Sequence, residues 1–266
     1  MIGIFDSGIG GLTVVKKIFE YMGKYQILYF GDTARTPYGG RGEATIKKYA
    51  LEDVEFLIKN GAKIIVVACN TASAVALREL KEKITLPIFN VVEPAVNAAI
   101  KISRGRIGVI GTRATVESKI YEKLINPPKF FREKLRRVKV FSQAAPLLVP
   151  LVEEDWLKKP ETRRIVKKYL VPLRANQIDT LILACTHYPF LRKIIQAKIG
   201  RWVKIIDPAE EVVKEIKNFL EKNPEIEKEL ARGSSHQFFV SDLTPKFQEL
   251  AGKWLDRKIK LNEVEI

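Results

Sequence analysis

The chain has little of what most metal and disulfide chemistry needs, with two cysteines and two histidines among its 266 residues. Cys69 and Cys185 are too few for a disulfide framework. Together with His187 and His236 they make no CxxC or HxxxH spacing, which excludes the common structural zinc sites and leaves no metal expected. No apolar run approaches the ~20 residues that cross a bilayer, so no membrane partner is expected. The opening Met1-Ile-Gly-Ile-Phe-Asp6 lacks the basic region and small-residue cleavage site of a signal peptide, and a cytoplasmic location is the expectation.

What is present is a globular composition, 46% hydrophobic and 29% charged, which argues against disorder. The length allows one large domain or two of roughly 100 to 150 residues each. A net charge of +15 raises nucleic acid as a partner. The basic residues are nevertheless scattered in pairs, as in 162–168, with one denser stretch from Lys129 to Lys139. No basic tail or aromatic-interleaved basic strand accompanies them, so the charge reads as solvated surface and nucleic acid is not the expected partner.

Apolar runs of strand length alternate with amphipathic segments of helix length. Strands are predicted at 2–5, 27–30, 64–68, 88–92, 107–110, 138–141, 180–184 and 203–206. Helices are predicted at 12–21, 43–59, 72–83, 115–125, 162–175 and 210–220. Near-continuous Val/Ile/Leu strands between helices mean an α/β fold with parallel sheets.

The chain also repeats itself. Ala62 to Ser73, around Cys69, reads like Ile178 to Pro189, around Cys185, with the cysteines 116 residues apart. Downstream, Glu93-Pro94-Ala95 matches Asp207-Pro208-Ala209, with the prolines 114 apart; upstream, Ile2 to Ser7 has a looser echo in Ile107 to Thr112, about 105 apart. We therefore expect two similar parallel-sheet α/β domains related by pseudo-twofold symmetry. The two carboxylate-proline steps mark the crossings, giving one domain of residues 1–93 plus 208–266 carrying Cys69, and a second of 94–207 carrying Cys185. Open α/β sheets bind ligands at their C-terminal ends, so the active site is expected in the cleft between them.

Each cysteine ends a strand and stands before a helix or turn opened by polar or proline residues, Asn70-Thr71-Ala72-Ser73 and Thr186-His187-Tyr188-Pro189. A lone buried cysteine is usually a small hydrophobe. Two in equivalent positions suggest a pair of bases, because inverting a carbon centre needs one group to remove a proton from one face and another to deliver one to the opposite face. A redox dithiol would favour CxxC, and a cysteine hydrolase would leave one thiol unexplained. Asp6-Ser7-Gly8-Ile9-Gly10-Gly11 turns from a strand into a helix, with glycines that allow a ligand close to the backbone; it is neither a phosphate loop nor GxGxxG. Asp6 is placed to polarise a thiol, and His187 stands two residues beyond Cys185. The segment Asp32 to Gly40 reads as a loop, either a plain turn or a lid carrying Tyr38 toward the cleft.

At these residues the chain resembles the glutamate racemases of the aspartate/glutamate racemase superfamily. The matching segments are Phe5 to Gly11, Asp32 through Pro37-Tyr38-Gly39, Ala68 to Ser73, Glu93 to Ala95, Gly111 to Thr115, Val149 to Glu153, Cys185 to Pro189 and Asp207 to Ala209. They run in family order over nearly the whole chain; Ala184 stands where many relatives have glycine. The resemblance implies cofactor-independent interconversion of L- and D-glutamate for peptidoglycan, with glutamate as the small-molecule partner and a homodimer among the assemblies it allows. It implies Cys69 and Cys185 as acid/base thiols, Asp6 and His187 as their partners and Glu153 as an assisting carboxylate. Substrate contacts are implied for Asp6, Ser7, Tyr38, Gly39, Asn70, Thr71, Thr112, Thr115, Thr186 and His187. The residues alone reach a two-thiol epimerase of a small anionic substrate. A racemase of aspartate or another small amino acid, a basic nucleic-acid-binding protein and a solute-binding module with inert cysteines are the competing readings.

Overall fold

Every residue of Ile2–Asp6, Ile27–Gly31 and Thr180–Ala184 is buried, so these strands need apolar cover on both faces, as parallel strands enclosed by helices have. The computed structural model describes residues 1–127 and 138–266. Most of the basic stretch Lys129 to Lys139 lies outside the described residues. The described strands are β1 (Ile2–Asp6), β2 (Ile27–Gly31), β3 (Ile64–Val67), β4 (Ile88–Asn90), β5 (Arg106–Gly111), β6 (Lys139–Ala144), β7 (Thr180–Ala184), β8 (Lys204–Ile206), β9 (Gln237–Val240) and β10 (Asn262–Glu263).

They form two sheets with every pairing parallel. One has six strands in the order β10-β9-β2-β1-β3-β4, the other four in the order β6-β5-β7-β8. The order β2-β1-β3-β4 in the first sheet is repeated strand for strand by β6-β5-β7-β8 in the second. The internal repeat is therefore a repeat of topology, with β9 and β10 added at one edge of the first sheet.

Successive side chains on a strand point to opposite faces, and the cores follow that alternation. Ile2, Ile4, Ile64 and Val66 join Leu181 and Leu183 of the second sheet in one continuous cluster, packed with Val14 and Ile18 of the helix Leu12–Met22 and Val212 and Ile216 of the helix Pro208–Lys222. On the far face of the first sheet, Phe5, Ile65 and Val67 pack against Ile46, Val54 and Leu57 of the helix Glu43–Lys59. On the far face of the second, Ile107, Val109 and Ile182 pack against Val92, Val96 and Ala99 of the helix Val92–Ile102.

Three local features differ from the sequence expectation. The apolar run after β4 leaves the strand at Asn90, whose Oδ1 accepts the backbone N–H groups of Val92 and Glu93 and starts a helix there. The helix expected over 72–83 is two helices, Asn70–Val75 and Leu77–Lys83, meeting at Ala76. The one expected over 115–125 is broken at Lys119, which takes a left-handed conformation with φ of 54°. Among the described residues no helix is long and apolar enough to cross a membrane.

Candidate active site

Equivalent strands deliver the two thiols to one place. Cys69 follows β3 and caps the helix Asn70–Val75, its Sγ accepting the Ala72 backbone N–H at 3.5 Å while the thiol donates to Ser7 Oγ at 3.5 Å. Cys185 follows β7, the topological counterpart of β3, and precedes a 3-10 turn, Tyr188–Leu191, with proline in its first turn. Both thiols are nearly sealed from solvent, 5% and 6% exposed, at the C-terminal ends of their strands. They line one tight cavity of about 20 Å3 together with Ser7, Pro37, Gly39, Asn70, Thr112 and His187. A larger surface depression of about 530 Å3, lined by Tyr21, Lys217 and Arg232, contains neither thiol.

The surroundings of the two thiols are unlike. Burial pushes the Cys69 thiol up to about 12, and the neighbouring Asp6 charge adds to the rise against the Ser7 hydroxyl and Ala72 N–H. At neutral pH Cys69 is therefore a protonated thiol. Cys185 Sγ lies 3.8 Å from His187 Nδ1, and His187 Nε2 lies 3.0 Å from Glu153 Oε1. Burial works against the imidazolium, but the contacts with Cys185 and Glu153 outweigh it and raise His187 to about 10. Asp6, fully buried at the end of β1, accepts the Thr186 hydroxyl at 3.3 Å. Burial raises its carboxyl, opposed by the His187 charge and by the Gly11 and Gly8 N–H groups.

Close approach here depends on two glycines. A Cβ on Gly10 would lie 2.4 Å from Thr186 Oγ1 and 2.6 Å from the His187 ring, and one on Gly11 would lie 2.5 Å from Asp6 Cβ. The turn after β1 thus packs directly against the Cys185-Thr186-His187 segment.

The other expected site residues fall into three arrangements. Ser7, Tyr38, Gly39, Asn70, Thr71, Thr112, Thr186 and His187 line the cavity with the thiols. Thr115 lies behind the wall, its hydroxyl 2.9 Å from that of Thr112 and 3.3 Å from that of Thr71, and the Thr71 and Thr112 hydroxyls are 3.0 Å apart. Asp6 and Glu153 stand outside the lining, behind Thr186 and His187. Tyr38 borders the cavity, yet its hydroxyl points to the carboxyl groups of Asp32 and Asp53. Its segment is a pair of 3-10 turns, Thr33–Arg35 and Tyr38–Gly40. Tyr121 escaped the sequence reading; its hydroxyl donates to Asn70 Oδ1 at 2.7 Å, which leaves the amide nitrogen of Asn70 as the donor for the cavity side. Nothing in the spacing of Tyr121 announces that role. Among the described residues no group of three His, Cys, Asp or Glu side chains is placed to hold a metal ion, and the cavity lining contains no lysine.

Two matched parallel sheets with a thiol from each at a shared cavity fit the class of amino-acid racemases, and the comparisons with known proteins agree. The family model described as Asp/Glu/Hydantoin racemase matches residues 11–216. The glutamate racemase of Aquifex pyrophilus is 45% identical over 265 residues, covering 98% of this chain and 97% of that protein. The crystal structure of a glutamate racemase isoform from Bacillus anthracis aligns with a TM-score of 0.91 at 38% identity, covering 100% of this chain and 97% of that one. That of Francisella tularensis glutamate racemase in complex with D-glutamate aligns with a TM-score of 0.88 at 35% identity, covering 99% and 97%. The chain belongs to the Asp/Glu/Hydantoin racemase family and is an amino-acid racemase, an isomerase.

Proposed function

We propose that the chain is a cofactor-independent glutamate racemase that interconverts L- and D-glutamate by two-base proton transfer between Cys69 and Cys185, supplying D-glutamate for peptidoglycan. The observation that carries the reading is the pair of buried thiols, one from each topologically equivalent unit, lining the same small cavity. The two units are residues 1–93 with 208–266, and 94–207.

In this mechanism a substrate held between the thiols loses its α-proton to one sulfur and gains a proton on the opposite face from the other. The resting site is already polarised for one direction. Cys69 carries its proton, while the His187 ring, raised to about 10 by its contacts with Cys185 and Glu153, stands 3.8 Å from the Cys185 sulfur. The resemblance to the glutamate racemases assigns Cys185 to take the proton from L-glutamate and Cys69 to deliver one to make D-glutamate, and the reverse reaction exchanges the roles. Asp6, held by the Thr186 hydroxyl, supports the Cys69 side, Glu153 orients His187, and the hydroxyls of Ser7, Thr71, Thr112 and Thr186 with the Asn70 amide supply hydrogen bonds for the substrate's charged groups.

Incubation of the dialysed protein with L-glutamate in D2O tests the reading. Deuterium is expected at the α-carbon together with formation of D-glutamate, without added pyridoxal phosphate. Glutamate recovered with its α-proton intact, or activity that requires pyridoxal phosphate, overturns it.

A further inference from the structure

Tyr38 is wholly buried, and its hydroxyl contacts two carboxyl groups, Asp32 Oδ2 and, at 2.8 Å, Asp53 Oδ2. A phenol has one proton to donate. If both acids were ionised, one of these two contacts would set oxygen lone pairs against each other in a buried site. One carboxyl group must therefore supply a proton.

The surrounding donors decide which. Asp32 Oδ2 also receives Arg35 Nε at 2.6 Å, and Asp32 Oδ1 receives the Ser241 hydroxyl at 2.8 Å, so every partner of Asp32 donates to it. Asp53 Oδ1 receives Arg35 Nη2 at 3.0 Å, but among the described residues Asp53 Oδ2 meets only the Tyr38 oxygen. Arg35 also binds Glu52, so its single positive charge is shared among three acids. Complete burial and the neighbouring Asp32 charge both push the Asp53 carboxyl well upward, in the same direction as the proton count.

Tyr38 belongs to one wall of the cavity. Thr36, Pro37, Tyr38 and Gly39 line it from one unit, and Gly39 lies so close to Thr112 of the other that a Cβ there would sit 2.6 Å from the Thr112 Cβ. We propose that Asp53, on the helix Glu43–Lys59 and outside the cavity, is a positioning residue for substrate binding: as an un-ionised acid it donates to Tyr38, which donates to Asp32, and the relay holds the 36–39 wall against Thr112. The proposal rests on the racemase reading above.

Asp53→Asn and Asp53→Ala test it. An asparagine amide reproduces a neutral acid, donating to Tyr38 and accepting from Arg35, whereas alanine removes both contacts. Asp53→Ala is expected to raise KM about tenfold for both enantiomers while kcat stays within about twofold. Asp53→Asn is expected to recover KM to within about twofold of the unaltered enzyme. The infrared carbonyl absorption of protonated carboxyl groups at neutral pH should include a component in the unaltered protein that Asp53→Asn lacks. That measurement needs no turnover, so a failed racemase reading and a failed relay are distinguishable. The proposal is overturned if Asp53→Asn has the raised KM expected of alanine, if that component is missing, or if Asp53→Ala lowers kcat and leaves KM unchanged. Should Asp53→Ala not fold, Asp53→Asn and the infrared component decide alone.

Discussion

His187 stands between Cys185 and Glu153, with Nδ1 3.8 Å from the sulfur and Nε2 3.0 Å from the carboxylate. Among the described residues Cys69 has no such partner; its contacts are a serine hydroxyl and a backbone N–H. The topological repeat therefore yields two thiols in equivalent positions but in different electrostatic states, one poised as an acid and the other backed by a cation. In the proposed two-base mechanism the two directions start from opposite placements of one proton on the pair of sulfurs.

Glu153→Gln keeps the shape of the chain of contacts and removes its negative end. We expect kcat to fall roughly tenfold, about 1.4 kcal/mol in the barrier. The alkaline limb of the pH profile should move to lower pH, because His187 loses one of the two groups that hold its proton. An unchanged alkaline limb would show that Glu153 does not act through His187.

The same imidazolium links pH to stability. His187 titrates at about 10 in the folded chain against an ordinary 6.5, so between those values the folded state binds the extra proton. Its contribution is complete below about pH 6.5 and is lost as pH rises through about 10. Melting temperatures measured across this window should fall with rising pH, and His187→Gln should flatten the fall. A slope equal in both proteins would assign it to other groups.

Gly10 lacks room for a side chain, while Gly42 has nothing within 4 Å of its would-be Cβ. Gly10→Ala should displace Thr186 and the His187 ring, costing about 1 to 3 kcal/mol in stability from overpacking together with most of the activity. Gly42→Ala should change neither by more than about 0.5 kcal/mol. Thermal melting and turnover of the two variants give the comparison directly.

Much of this arrangement is readable in the sequence because it is local. The apolar run Ile64 to Val67, followed almost at once by Cys69, shows both the buried strand and the place of the thiol, and the second copy around Cys185 supplies the fold's symmetry. The parts that are not readable depend on distant residues. β9 is a four-residue strand whose place is set by pairing with β2, some 200 residues earlier. Asp53 looks like an ordinary polar position in an amphipathic helix until folding sets it against Tyr38 and Arg35. The helix from Val92 begins inside an apolar run that has strand character, and only the Asn90 side chain, accepting two backbone N–H groups, turns it.

The division of labour between the thiols can be separated from their joint necessity. Enantiomers have equal free energy in water, so kcat/KM must change equally in both directions for any variant, and that ratio carries no information about faces. Exchange of the α-proton does. Cys69→Ser keeps the Cys185–His187 pair and should still wash deuterium from D2O into L-glutamate, slowly and without inversion. Cys185→Ser keeps only the Cys69 side and should exchange D-glutamate alone. Both variants should lose racemisation, since a complete turnover uses each sulfur once. The measurement is mass-spectrometric deuterium content of each enantiomer after separation on a chiral column. If either serine variant exchanged both enantiomers at similar rates, the remaining thiol would be reaching both faces of the α-carbon and the two-base assignment would fail. Exchange confined to the opposite enantiomers would preserve the two-base mechanism and reverse the faces, placing His187 on the side that serves D-glutamate.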